Sequence, residues 1–141
     1  MNFRSMIFPV PPATPLSVGL LLLRGFAGIA MANHGWGKIQ NPFHWMDGAP
    51  GAPPAVFQML AAVAEFFGGI GLAVGLLSVV AAFGIVCTML VAMQHHLSTG
   101  DPFEKWELAA VYFFVSVLVL LGGPGRFSLD SIVRARLEKR R

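Results

Sequence analysis

Two ionisable side chains sit where apolar sequence leaves no water to hold them: Arg24 in "GLLLLRGFAG" and Glu65 in "AAVAEFFGGIG". An Arg or Asp at the centre of a membrane helix costs about 2.5–3.5 kcal/mol even on the gentlest insertion scale. Pairing opposite charges is the simplest way to lower that cost. Counted from Leu16, Arg24 lies about 12 Å into the hydrocarbon, while Glu65, on a segment running the other way, lies about 15 Å from either boundary. The spacing therefore predicts a buried Arg24–Glu65 ion pair. Arg24, Gly28 and Ala32 form one i, i+4 stripe and Ala61, Glu65 and Gly69 another, as expected of closely packed helices with small residues at their contact. Such a pair either fixes helix register or relays protons.

A second constellation gathers where the first and third apolar segments end. "NHGWGK" carries His34 and Lys38, four residues apart on one face, and "MQHHL" carries Gln94, His95 and His96. The stripe Gly84, Thr88, Ala92 points His96 towards the bundle and His95 towards the interface. Tyr112 and Ser116, one turn apart, complete a polar wall, with Glu104 and Glu107 above it. Imidazole hydrogen-bonds a quinone carbonyl and relays its proton, or ligates a metal. The set His34, Lys38, Gln94, His96 and Tyr112 is thus a candidate site for a quinone-like molecule. Interfacial anchoring is the plain alternative for these residues, and a metal or bis-His haem held by His34 and His96 is a further one. No HExxH or CxxCH pattern supports the metal or a covalently attached cofactor.

The elements that must position these residues are membrane helices. Of 141 residues, 55% are hydrophobic and 12% charged, about half the charge of an ordinary soluble domain; the mean hydropathy is +0.67. Residues 16–33, 55–77, 78–97 and 106–122 are each long enough to cross roughly 30 Å of hydrocarbon. Residues 55–97 form one apolar stretch, too long for a single crossing, so it must reverse, around Gly75–Ser78. The expected fold is an all-α, antiparallel four-transmembrane-helix bundle over 16–122. A Pro-rich lead-in (1–15) precedes it, and a Gly-rich turn with a basic amphipathic helix (123–141) follows. In that tail Ile132, Val133 and Leu137 are expected against the bilayer. "GGIGLAVG" (68–75) reads as a GxxxG packing face through Gly71 and Gly75, not a phosphate loop.

Four spans put both termini on one side. That side collects Arg4, Arg126, Arg134, Arg136, Lys139, Arg140 and Arg141, against Lys38 and Lys105 opposite, so the positive-inside rule makes both termini cytoplasmic. The basic tail suits a lipid surface and not nucleic acid. Small-residue faces allow a homo-oligomer. The single cysteine, Cys87, excludes an internal disulfide and reads as a small apolar core residue. "AMA" (30–32) resembles a signal-peptide cleavage site, but Arg24 interrupts what would be the uncharged h-region.

"LLLRGFAGIAMANHGWGKI", "AEFFGGIGLAVGLL" and "LLGGPGRFSLD" resemble, in order and spacing, the DoxX family of small four-helix bacterial membrane proteins, over about residues 16–132. The pieces carrying the resemblance are the HGxxK-like turn (His34, Gly35, Lys38) and the terminal signature Gly123, Gly125, Ser128, Leu129 and Asp130. "LLSVV" stands where members often carry a Thr-Arg-like pair, and the 40–54 loop is longer and richer in proline. The resemblance implies a membrane subunit of a quinone-linked oxidoreductase system, of the thiosulfate:quinone type, with quinone as the ligand and a soluble or membrane redox partner as electron donor. A non-catalytic scaffold or assembly subunit and a lipid or small-molecule carrier are the alternatives.

Overall fold

A computed structural model describes residues 6–139. Its helices are α1 (Thr14–Gln40), α2 (Ala55–Val74), α3 (Ser78–Ser98), α4 (Phe103–Gly122) and α5 (Leu129–Lys139), and no strand occurs among the described residues. The first four are each long and apolar enough to cross a membrane. They run up and down, α1 packing on α2, α2 on α3 and α3 on α4, with a lighter α1–α4 contact closing the bundle. This is an all-helical, four-span membrane bundle with a short C-terminal helix.

The surface is inverted relative to a soluble bundle. Phe26, Phe114 and Leu121 are 79%, 68% and 81% exposed, whereas Arg24, Gln58, Glu65, Ser116 and Asp130 are buried. Lipid solvates the apolar exterior, so polar groups must find partners inside. Ala27, Met31, Leu72, Ala82, Ile85, Met89, Tyr112 and Val119 form the apolar core. Cys87 is exposed on α3, not in the core: its side chain lies off the buried stripe of Ala82, Ile85 and Met89.

The small-residue stripes of α1 and α2 do meet. A Cβ placed on Gly28 would lie 2.5 Å from the Ala73 nitrogen and 2.6 Å from the Gly69 oxygen; one on Gly69 would lie 2.5 Å from the Ala32 nitrogen. The backbones touch because glycine leaves room for them. Gly75 serves a different purpose. Its φ of +72° ends α2 in the left-handed conformation, and Leu77, at φ +49°, completes the reversal that starts α3 at Ser78. The expected turn at Gly75–Ser78 is present, but Gly75 is a helix cap, not part of a packing face.

Candidate functional site

Arg24 and Glu65 do not pair. A Cβ on Gly35 would sit 2.5 Å from the Phe66 nitrogen and 2.8 Å from the Glu65 carbonyl carbon, so Gly35, not Arg24, is level with Glu65. The eleven residues from Arg24 to Gly35 correspond to about 16 Å of helix. Counting depth from Leu16 misplaced α1, because its first turns project past the end of α2. There Ser17, fully buried, accepts a hydrogen bond from the Arg126 N–H at 3.1 Å. Each charge has instead found partners at its own level.

At the end of the bundle where α1 begins and α4 gives way to α5, Arg24 works as a helix cap. Its Nη1 donates to the carbonyls of Leu72 (3.1 Å) and Ala73 (2.5 Å), its Nε to Pro124 at 3.1 Å, and its Nη2 to Phe127. The first two are orphan carbonyls of the last turn of α2, where the helix dipole is negative. A third, that of Gly71, accepts from Leu76 at 2.9 Å. Asp130 does the converse for the next helix. Its carboxylate accepts from the N–H groups of Leu77 (2.7 Å) and Ser78 (2.8 Å), opening α3 at its positive end. The Asp130 N–H in turn donates to Gly75 at 2.8 Å. Ser128 donates to Gly125 at 2.8 Å, and a Cβ on Gly75 would strike the Ser128 Cβ at 2.5 Å and the Arg24 Nη1 at 2.9 Å. Gly123, Gly125, Ser128 and Asp130 are buried here, while Leu129 is 41% exposed. Of these signature residues Ser128 and Asp130 clamp the α2–α3 reversal, while Gly123 and Gly125 let the chain pass close to Pro9 and Ser17.

The opposite end carries the polar layer. Lys38 Nζ lies 2.6 Å from Glu65 Oε1; Glu65 is 3% and Lys38 28% exposed. The ammonium also sits 4.3 Å above the Trp45 ring, a cation–π contact. Glu65 Oε2 is buried with no hydrogen-bond partner among the described residues, as is the Ser116 hydroxyl. Tyr112, buried on α4, meets His34 edge to face at 5.8 Å, and His34 adjoins Gly35 at the Glu65 level. Lys38, Glu65, His34 and Tyr112 therefore share one layer.

Gln94 and His96 do not join that layer through the contacts they make. Gln94 is exposed, and His96 Nδ1 contacts Asp101 Oδ2 at 2.8 Å in the loop beyond its own helix. It is His95 that faces the neighbouring 40–54 loop, 3.3 Å from where a Gly51 Cβ would stand. Both histidines are half-buried and each is engaged by a loop, His95 by the 40–54 loop and His96 by Asp101 in the turn after α3. Glu104 and Glu107 are exposed. Among the described residues no three His, Cys, Asp or Glu side chains converge as a metal site would require.

Two loop carboxylates are held ionised by their neighbours. Asp101 is pushed well below the usual carboxylate range by hydrogen bonds from His96, Lys105 and Thr99. Asp47 is lowered by hydrogen bonds from His44 and Gln58.

Gln58 carries a role that its sequence context does not announce. It is 2% exposed, and its amide binds the Met46 N–H at 2.9 Å, the Pro53 carbonyl at 3.0 Å and Asp47 at 3.3 Å. The Gln58 backbone carbonyl accepts from the Trp45 indole at 2.8 Å. Gln58 thereby holds the 41–54 loop over the Lys38–Glu65 pair. A lone amide within "AVFQMLAAVA" is the one signal of it in the sequence.

The family model for DoxX matches residues 19–97, more than half of the chain, from the turn before Arg24 through α3. No curated protein and no solved structure matches the chain. The matched stretch contains Arg24, Gly28, Lys38, Glu65 and Gly75, the residues that build both ends of the α1–α2–α3 unit. The chain belongs to the DoxX family.

Proposed function

We propose that this protein is a membrane subunit of a quinone-linked oxidoreductase system, and that its Lys38–Glu65 layer binds a quinone-like headgroup. The observation that carries the proposal is Glu65 Oε2, a buried carboxylate oxygen with no partner among the described residues beside a charged, partly accessible lysine. A buried acceptor left unmade is costly, and a bound hydroxyl would remove that cost. A quinol hydroxyl donates to Oε2, and Lys38 and Tyr112 supply donors for a quinone carbonyl. The headgroup enters beside the partly accessible Lys38, with its ring between His34 and Trp45. Electrons pass to or from a soluble or membrane partner. In this reading the ends of the chain are cytoplasmic, as its excess of basic residues there favours, and the Lys38–Glu65 layer lies towards the periplasmic face of a bacterial inner membrane.

A second reading, a scaffold or assembly subunit, is favoured by a different observation: Lys38 and His96 already have partners within the chain. One experiment separates the two. Protein purified in mild detergent is extracted, and its quinones are quantified by mass spectrometry for wild type, Glu65→Leu and Tyr112→Phe. Quinone near one equivalent in wild type and strongly depleted in Glu65→Leu, which offers the headgroup neither acceptor nor donor, supports the binding site. Bulk lipid alone, the same in all three proteins, supports the scaffold.

A further inference from the structure

We infer that α5 carries a binding site for the headgroup of an anionic phospholipid. One face of α5 is occupied by the protein: Asp130 is buried in the clamp, and Arg134 donates to the Phe8 carbonyl at 2.7 Å and bridges Glu138 at 2.9 Å. Val133 and Leu137 are partly buried on this side, so they do not form the lipid-facing stripe expected from sequence. The opposite face presents Ile132, Arg136 and Lys139, spaced as i, i+4 and i+7 neighbours on a helix. With Ser131 and Ala135 these residues line a shallow, open cavity of about 420 Å³.

The occupant follows from the order of groups along that face. Near the bundle the surface is apolar and continuous with the membrane-facing exterior: Leu121 is 81%, Phe127 47%, Leu129 41% and Ile132 50% exposed. The far end is cationic, Arg136 and Lys139 lying about 10–15 Å along the axis from Leu129. Among the described residues neither cation has an acidic partner within 4 Å. An apolar floor leading to two cations complements an acyl–glycerol body leading to a phosphate. A free phosphate would leave Ile132 and Ala135 uncovered, and a zwitterionic lipid brings a cation of its own, so it leaves the net positive charge of Arg136 and Lys139 unbalanced.

The test uses the full chain in an uncharged detergent, with native mass spectrometry of retained lipid. Phosphatidylglycerol, phosphatidylcholine and inorganic phosphate are each added at matched concentration. Wild type is expected to retain phosphatidylglycerol over phosphatidylcholine. The double variant Arg136→Gln/Lys139→Gln is expected to bind it about thirty-fold more weakly, as two basic residues at an anionic surface would give. Ile132→Ser should also weaken it, and Lys105→Gln, which removes a charge from the other end of the molecule, should not. All the substituted positions are exposed or partly exposed, so folding is preserved. Equal retention of the two lipids, insensitivity to the double variant, or equal competition by inorganic phosphate overturns the inference.

Discussion

Arg24→Gln isolates the work of the buried guanidinium. Arg24 supplies hydrogen bonds to four carbonyls, those of Leu72, Ala73, Pro124 and Phe127. Glutamine has two amide N–H donors, so at least two carbonyls lose their partner and the charge near Asp130 disappears. Bonds to a charged group contribute about 1.5–3 kcal/mol each, giving a loss of about 3–6 kcal/mol, comparable with the whole stability of many domains. Asp130→Asn removes the complementary charge, and its amide turns a donor towards either the Leu77 or the Ser78 N–H. Because the two residues close opposite sides of one reversal, the double variant should cost less than the sum of the singles, by about 1–3 kcal/mol. Arg24→Gln with Glu65→Gln should instead add within about 0.5 kcal/mol, since the two residues, on different helices, differ in level by about 16 Å along the bundle axis. Unfolding in mixed micelles, followed by circular dichroism, measures both cycles. Additivity in the first cycle, or strong coupling in the second, refutes the clamp.

Three further outcomes follow from the same contacts. Gly28→Ala places a methyl 2.5–2.8 Å from the Ala73 and Gly69 backbones, forcing α1 and α2 apart; the midpoint of thermal unfolding should fall, by an overpacking cost of about 1–3 kcal/mol. Lys38→Met leaves the Glu65 carboxylate buried and uncompensated, at a cost of about 3 kcal/mol, the low end for a broken buried pair because Lys38 is partly accessible; Lys38→Met/Glu65→Leu should recover most of the loss in a denaturant titration. Asp101, whose folded pKa lies below its ordinary value of 3.8, contributes stability that is fully present above that value and is lost as pH falls towards the folded pKa. Wild type should therefore be more stable than Asp101→Asn at pH 6, with the difference shrinking below about pH 4 in a series of thermal melts.

The four spans were legible because hydrocarbon thickness and uninterrupted apolar length admit few alternatives. The Gly28, Ala32 and Gly69 contact was legible because i, i+4 periodicity survives in any register. The partners of Arg24 and Glu65 were not, and register is the reason. Composition does not mark where α1 starts relative to the end of α2, and an offset of about three turns moves one charge from another charge to a set of backbone carbonyls. Backbone acceptors leave no trace in a sequence, so a buried arginine capping a neighbouring helix looks the same as one seeking a carboxylate. The signature around Asp130 was visible as a motif, but its role depended on the Gly75–Ser78 turn lying beside it. The helical stripe could not show that His95 and His96 each meet a loop, because the contacts with Gly51 and Asp101 depend on how those loops fold back.

The most direct test of the proposed site compares a water-soluble quinol with its quinone by fluorescence quenching of Trp45, with Trp36 and Trp106 replaced by phenylalanine. Glu65 Oε2 is an acceptor, so this protein should bind the hydroxyl-bearing quinol more tightly, by roughly ten- to a hundred-fold, the strength of one bond to a charged group. Glu65→Gln, with its amide oxygen held by Lys38 and its N–H₂ turned to the ligand, should reverse the preference towards the quinone. Equal affinity for both forms, unchanged by Glu65→Gln, would contradict the assignment of this layer as a quinone site.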